Sequence, residues 1–215
     1  MTSNIPRKAL AGGALLAAML AACSAPVTKP VATPPAAVAP APAADSAAAR
    51  ERAQAAARDF STQLRTALQA KLGEGGTEGA IAFCHDEAPK IAARVGAAHG
   101  VRLGRVPVPG RLRNPANAAQ DWQAAVLADF QARAAAGTPP GELVAVRDHG
   151  LPAGVALRMM RGIAVEPACL ACHGKTLSPQ TAAALRRLYP GDTATGFEVG
   201  DLRGALWVEV PAGEG

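Results

Sequence analysis

The spacing of apolar residues separates a helical first half of the chain from a second half that is richer in strands. Apolar side chains recur every three or four positions over 47–72 and over 77–97, which predicts two amphipathic helices. Further helical patterns cover 121–136 and 179–188. Alternating, β-branched runs predict strands at 101–106, 142–147, 154–165 and 202–210. Helices followed by short strands indicate an α+β domain with a small antiparallel sheet.

The first 22 residues have the organisation of an export signal. Arg7 and Lys8 precede an apolar run over 9–19, which is too short to span a bilayer. Leu-Ala-Ala-Cys then ends at Cys23 and resembles the bacterial lipobox, so we predict that residues 1–22 are removed and that Cys23 carries the lipid. Ser24 follows the cysteine, which favours the outer membrane. The predicted location is the cell envelope, lipid-anchored and facing the periplasm.

Composition then divides the remaining chain into a tether and one domain. Residues 24–45 are almost all Ala, Pro, Val and Thr with six prolines, so residues 23–46 are predicted to form an extended lipidated tether. The domain is predicted to cover 47–215. Of all 215 residues 53 are alanine and only 3% are aromatic, so large side chains for a core are scarce. The net charge is only +5 and the aromatic residues are scattered along the chain, so we do not expect the protein to bind nucleic acid.

The cysteines indicate a covalently bound cofactor. Lipidation of Cys23 leaves an odd number of thiols, which weakens a disulfide interpretation. Cys169, Cys172 and His173 form a C-x-x-C-H sequence, which in an exported chain is typical of one covalent haem c. On a helix these positions share a face, so two thiols can reach the vinyl groups while the imidazole reaches iron. A redox-active Cys pair or half of a zinc site are the alternatives.

The second axial position has several candidates in the sequence. Cys84 lies on the inward stripe of the second helix, and Pro89 should kink that helix nearby. A buried structural cysteine is the alternative interpretation. Met159 is expected to face the pocket mainly as a packing residue. The remaining candidates are Met160, His85, His99 and His149.

Basic residues cluster in a segment without acids. Arg102, Arg105, Arg111 and Arg113 fall within twelve positions, and guanidinium groups suit the two haem carboxylates. We predict that Arg105, Arg111 and Arg113 contribute to the cofactor site, against the alternative of a solvated basic loop.

Several stretches together resemble one family of exported haem-c domains with a PAS-like fold, long catalogued as a domain of unknown function. They cover most of residues 50–210. The stretches are AIAFC at 80–84, APKIA at 88–92, RLRNPAN at 111–117, CLACHG at 169–174, YPGDTATGF at 189–197 and GDLRGA at 200–205. The chain departs from the family pattern at Val106 and Pro107, which replace Thr and Ser, and at Gln123, which replaces an acid.

The resemblance implies a PAS-like domain whose haem iron is bound by His173 and Cys84. The predicted function is single-haem electron transfer with an unknown redox partner. The alternative is a sensor of redox state or of diatomic ligands that acts through a signalling partner. We expect no enzymatic activity, because a peroxidase needs an open iron position and a distal acid-base group, and only adjacency favours His85 for that role. Weak peroxidase-like activity is the alternative.

Overall fold

The computed structural model describes residues 43–213, so the predicted signal segment and the lipidation site at Cys23 lie outside the described residues. Helix α1 covers Ala43–Asp86 and is interrupted at Gly75 and Gly76, the latter with a φ of +59°. The helix begins at Ala43, so its first residues include the predicted end of the tether. Helix α2 covers Ala88–His99 and ends at the left-handed Gly100.

The predicted helix over 77–97 is therefore divided at Glu87. Its first part is the end of α1, and its second part is α2. Pro89 explains the break, because proline cannot donate a hydrogen bond to the carbonyl of His85. The kink expected from the sequence is confirmed.

Four antiparallel strands form one sheet. The strands are β1 Arg102–Pro107, β2 Val144–Arg147, β3 Val155–Ala164 and β4 Leu202–Pro211, in the order β1-β4-β3-β2. All four match the predicted runs to within two residues. Gly204 is required where β4 pairs with the end of β1, because a Cβ there would lie 2.1 Å from the Val106 carbonyl oxygen.

Two hydrophobic layers cover the faces of the sheet. On one face Val208 and Val210 pack among α1 residues that include Ala53 and Phe60. On the other face Ala205 packs in a cluster with residues of α3, which covers Asp121–Ala135. Leu127 and Phe130 of α3 are fully buried, and burial of each such side chain contributes about 1.5–3 kcal/mol. The alanine-rich face of α1 suits close approach to the sheet.

Two shorter helices complete the domain, α4 at Leu170–His173 and α5 at Pro179–Leu188. A third cluster joins Ile81 of α1 to Leu185 of α5 and to Tyr189. The prediction of an α+β domain with N-terminal helices and a small antiparallel sheet is confirmed. Within residues 43–213 no helix combines the length and apolar character that a membrane span requires.

Candidate functional site

A cavity of about 1340 Å³ lies between the N-terminal helices, strand β1 and helix α4. It exceeds the roughly 300–1,000 Å³ of ordinary small-molecule sites. Apolar side chains such as Leu68 and Ile81 line it together with Cys84. The charged side chains of the described lining are arginines, among them Arg105 and Arg203, with the single acid Glu166. Such a cavity suits a large, mostly apolar ligand that carries negative groups.

The C-x-x-C-H sequence forms a short helical segment at the cavity. A 3-10 turn over Pro167–Cys169 continues into α4, and Cys169 itself has helical φ and ψ. Cys169, Cys172 and His173 all line the cavity, as the motif predicted. Gly174 then leaves the helix with an extended ψ of 178°. Any side chain there would crowd α4, because a Cβ would lie 2.6 Å from the Leu170 carbonyl oxygen.

His173 is held in one tautomer by the hydrogen bonds of its two ring nitrogens. Nδ1 lies 2.6 Å from the carbonyl oxygen of Ala194, which can only accept, so Nδ1 carries the proton. Nε2 therefore presents a lone pair, which accepts from Arg203 at 2.8 Å and from Arg113 at 3.4 Å. A neutral imidazole with Nδ1–H bound to a carbonyl is the arrangement that metal-binding histidines use.

The surroundings of His173 keep it uncharged. Burial lowers its pKa to about 2, and the positive charges of Arg203 and Arg113 add to this effect. Burial also raises the pKa of the Cys172 thiol, so the protonated form is favoured there. The site thus presents a neutral nitrogen donor beside a neutral thiol.

A loop packs on α4 and positions His173. The backbone N–H of Phe197 donates to the His173 carbonyl at 3.0 Å, and that of Gly196 donates to the Gly174 carbonyl at 3.0 Å. The Phe197 ring lies edge-on to the imidazole, with the ring centroids 6.3 Å apart. We call residues 169–174 together with 192–197 the histidine wall.

The three predicted arginines have different environments. Arg105 lines the cavity and makes no ion pair with an acid among residues 43–213. Arg111 also lines the cavity, but it donates to the Thr195 carbonyl and lies 5.2 Å from the Phe197 ring centroid. Arg113 donates to the Cys172 carbonyl at 2.7 Å and pairs with Asp192. Arg111 and Arg113 thus support the histidine wall, whereas Arg105 is available to a ligand.

Sequence reasoning missed two residues of the cavity. Arg203 of β4 lies beside His173, and burial together with the charges of Arg105 and Arg113 lowers its pKa to about 10. Tyr189 is 6% exposed, and burial raises its pKa to about 12. Both lie within stretches that carry the family resemblance, which was the only signal available for them.

Cys84 lines the cavity from the helical side and is half-buried. Its neighbours on this side are the apolar residues Ile81, Phe83 and Ala88. We call residues 77–97 the cysteine wall. His85 is exposed, lies outside the cavity lining, and contacts Asp86 at 2.6 Å. His85 therefore lies behind the lining, where its ring is edge-on to the cavity residue Tyr189 with the ring centroids 5.3 Å apart.

The other axial candidates are distributed through the fold. Met159 is 4% exposed, packs in the core beneath α1 and lines the cavity, as expected of a packing residue. Met160 packs on the opposite face of the sheet. His99 contacts Asp59 at 3.2 Å, and His149 contacts Asp148 at 3.0 Å, both outside the lining.

The described thiols are Cys84, Cys169 and Cys172, and all three are free. Within residues 43–213 no three side chains of the His, Cys, Asp and Glu types are grouped to hold a bare metal ion.

The fold that carries this site falls within one known protein family. The model of the Tll0287-like family (Tll0287) matches residues 39–211, which span the whole described fold. The chain belongs to the Tll0287-like family. Among solved structures, the cyanobacterial heme-protein Tll0287 is 28% identical, with a TM-score of 0.48, over 60% of this chain and 71% of that one. No curated protein matches.

Proposed function

We propose that this Tll0287-like chain binds one haem c and uses it for electron transfer. Cys169 and Cys172 would each add a thiol S–H across a vinyl double bond, which forms two thioethers without net oxidation. His173 would bind iron through Nε2, and Cys84 would supply a second protein ligand. The observation that carries the proposal is the tautomer of His173, which places the Nε2 lone pair in a cavity shared with both attachment thiols, where iron would replace Arg203 as its partner.

The cavity fits this cofactor in volume and in charge. Its volume of about 1340 Å³ exceeds that of ordinary ligand sites, and its lining combines apolar side chains with cations. Arg105 and Arg203 would pair with the haem carboxylates, since buried guanidinium groups form strong charge-assisted hydrogen bonds. A porphyrin would also supply the large apolar surface that an alanine-rich sequence lacks.

The iron would supply one-electron redox chemistry at a low potential. A thiolate ligand pushes electron density onto iron and favours the ferric state. The sequence features further support a lipid anchor at Cys23 and a location on the periplasmic side of the cell envelope, with the outer membrane favoured. The redox partner would then be another envelope protein.

A sensor of redox state or of diatomic ligands is the second candidate, and one structural observation favours it. Cys84 lies on a helical segment bounded by the interruption at Gly75 and Gly76 and by the break at Glu87. These interruptions separate the segment from the rest of α1 and from α2, which would allow a small displacement of Cys84 if it lost its contact with iron. Rapid binding of carbon monoxide by the reduced protein would favour sensing, and inert six-coordinate iron would favour electron transfer.

The test is a spectroscopic study of the full chain produced with haem-c maturation. We expect haem that resists acidic extraction, with a low-spin ferric EPR spectrum of a thiolate complex. Cys84→Ser should remove the thiolate signature and raise the potential. Met159→Leu, another cavity-lining change, is the matched control and should leave the signature intact. Haem-free protein would contradict the proposal, and an unchanged Cys84→Ser spectrum would remove Cys84 as a ligand.

Attachment to the membrane has a separate test. Cys23→Ala should move the chain from the membrane fraction to the soluble periplasmic fraction, because the lipid would no longer be added. The haem spectrum should not change. Continued membrane association of this variant would contradict the lipid anchor but would leave the haem site unaffected.

A further inference from the structure

Asp192 connects the parts of the histidine wall that hold His173. Its side chain is 8% exposed, and that of its partner Arg113 is 12% exposed. Oδ2 accepts a hydrogen bond from Nε of Arg113 at 3.1 Å and lies 2.9 Å from a terminal nitrogen of the same guanidinium group, as an ion pair. Oδ1 accepts from the backbone N–H of Ala194 at 2.8 Å. One buried carboxylate therefore binds a distant arginine and its own loop at once.

Both of these contacts continue to the imidazole. Ala194, whose backbone N–H donates to Asp192, also carries the carbonyl that accepts the Nδ1 proton of His173. Arg113, held by Asp192, also donates to the Cys172 carbonyl, directly before His173 in the chain. The carboxylate thus fixes the acceptor of the ring and the backbone that carries the ring.

We propose that Asp192 is a positioning residue for His173, which fixes the imidazole orientation and the strength of its Nδ1–H bond through Arg113 and the Ala194 carbonyl. This inference rests on the proposed role of His173 as the iron ligand. A hydrogen bond at the second ring nitrogen raises the basicity of a metal-bound histidine. Asp192 would therefore help to hold the potential low without touching the cofactor.

The test compares Asp192→Asn and Asp192→Ala with the wild-type full chain produced with haem-c maturation. Asn keeps an oxygen acceptor for Ala194 but loses the charge that holds Arg113, whereas Ala loses both. We expect the midpoint potential to rise in the order wild type, Asn, Ala, because the imidazole becomes a weaker base. The ferric EPR signals should broaden in the same order as the ring orientation becomes less uniform.

Glu209→Gln is the matched control for a merely structural effect. Glu209 is also a buried carboxylate with two arginine partners; it and Arg158 lie outside the cavity lining, and its other partner, Arg102, lines the cavity with a side chain that is 74% exposed. We expect this variant to lower the melting temperature and to leave the potential and EPR spectrum unchanged. Wild-type values in both Asp192 variants, or an equal shift in Glu209→Gln, would overturn the proposal.

Two further measurements keep the test decisive. Arg113→Lys removes the paired contact with Asp192 but retains a positive charge, so its midpoint potential should rise by less than that of Asp192→Ala. It also provides a measurement if Asp192→Ala fails to take up haem. If the wild type carries no haem, the proposed function fails, and nitrogen NMR of His173 in the same proteins tests Asp192 by itself. A pure Nδ1–H tautomer in the wild type and a mixture in Asp192→Asn would support the proposal, and identical tautomers would overturn it.

Discussion

The two walls of the cavity are held in place by different interactions. The histidine wall is fixed by directional bonds, because His173, Ala194 and Arg113 each make hydrogen bonds there. The cysteine wall is held mainly by apolar packing of Ile81, Phe83 and its neighbours. Its long-range side-chain contacts include the 2.6 Å hydroxyl pair of Thr77 and Thr181 at its start.

This difference implies different tolerances to movement. Hydrogen bonds fix orientation to within a narrow range, whereas apolar packing resists loss of volume but allows small displacements. The imidazole is therefore preorganised, and Cys84 has the more adjustable position. In the proposed haem protein, a change of ligation on reduction would occur at Cys84.

The largest expected effect follows from removing the cofactor between the two walls. In Cys169→Ala/Cys172→Ala no thioether can form, so the cavity of about 1340 Å³ would lose the haem proposed to fill it. We expect a much lower and broader thermal transition, because a bound group that stabilises only the folded state no longer contributes. Circular dichroism melting and dye binding would measure it.

The single variant Cys169→Ala is the control for this experiment. It retains one attachment point and should melt between the wild type and the double variant. A native-like melting profile for the double variant would contradict the idea that the cofactor completes the core.

Matched glycine substitutions would compare the walls directly. Gly174→Ala should destabilise the histidine wall by ~1–3 kcal/mol, because its Cβ would lie 2.6 Å from the backbone oxygen of Leu170. Gly79→Ala should stabilise the cysteine wall by ~0.5–1 kcal/mol, because alanine favours helix and its Cβ meets only a 3.4 Å contact. Denaturant unfolding of both variants measures the difference.

If Gly174→Ala and Gly79→Ala changed the free energy of unfolding in the same direction, the contrast between the walls would be contradicted. The absorption spectrum gives a second measurement. It should change in Gly174→Ala, where α4 must move, and remain constant in Gly79→Ala.

The sequence predicts the locally encoded half of this site well. The C-x-x-C-H helix and the break before Pro89 depend on neighbours within four residues, and both are found as expected. The partners of His173 are distant in sequence, Ala194 by 21 residues and Arg203 by 30. No periodicity encodes such pairs, because the return of β4 beside β1 brings Arg203 to the cavity.

The arginines show the same limit of sequence reasoning. Composition indicates that Arg105, Arg111 and Arg113 form a basic cluster, but it does not distinguish a ligand-facing guanidinium from one that braces a loop. That assignment depends on the loop over 192–197, which lies almost 80 residues further along the chain and supplies Asp192 to Arg113. Strand boundaries, in contrast, follow from local alternation and were predicted to within two residues.

The smallest expected effect concerns the far end of α1, where the helix meets the β2–β3 turn. Ser46 donates to Asp148 at 2.6 Å, and this bond, with that of His149, lowers the pKa of Asp148 to about 2. The pKa of Asp148 is therefore lower in the folded chain than in the unfolded chain, where it is near 3.8. The charged carboxylate stabilises the fold fully above pH 3.8, and this stabilisation is lost as the pH falls through about 2.

Melting temperatures of the wild type and Asp148→Asn between pH 6 and pH 2.5 test this contact. The wild type should be slightly more stable at pH 6, and the difference should shrink steadily towards pH 2.5. Asp129→Asn, which removes the exposed pair with Arg133 on α3, is the control for a general loss of surface charge.

The contact between Ser46 and Asp148 lies far along α1 from Cys84, so the absorption spectrum should stay constant in Asp148→Asn. A spectral change would show that the cysteine wall responds to the whole length of the helix. A melting difference independent of pH would contradict the role of the carboxylate.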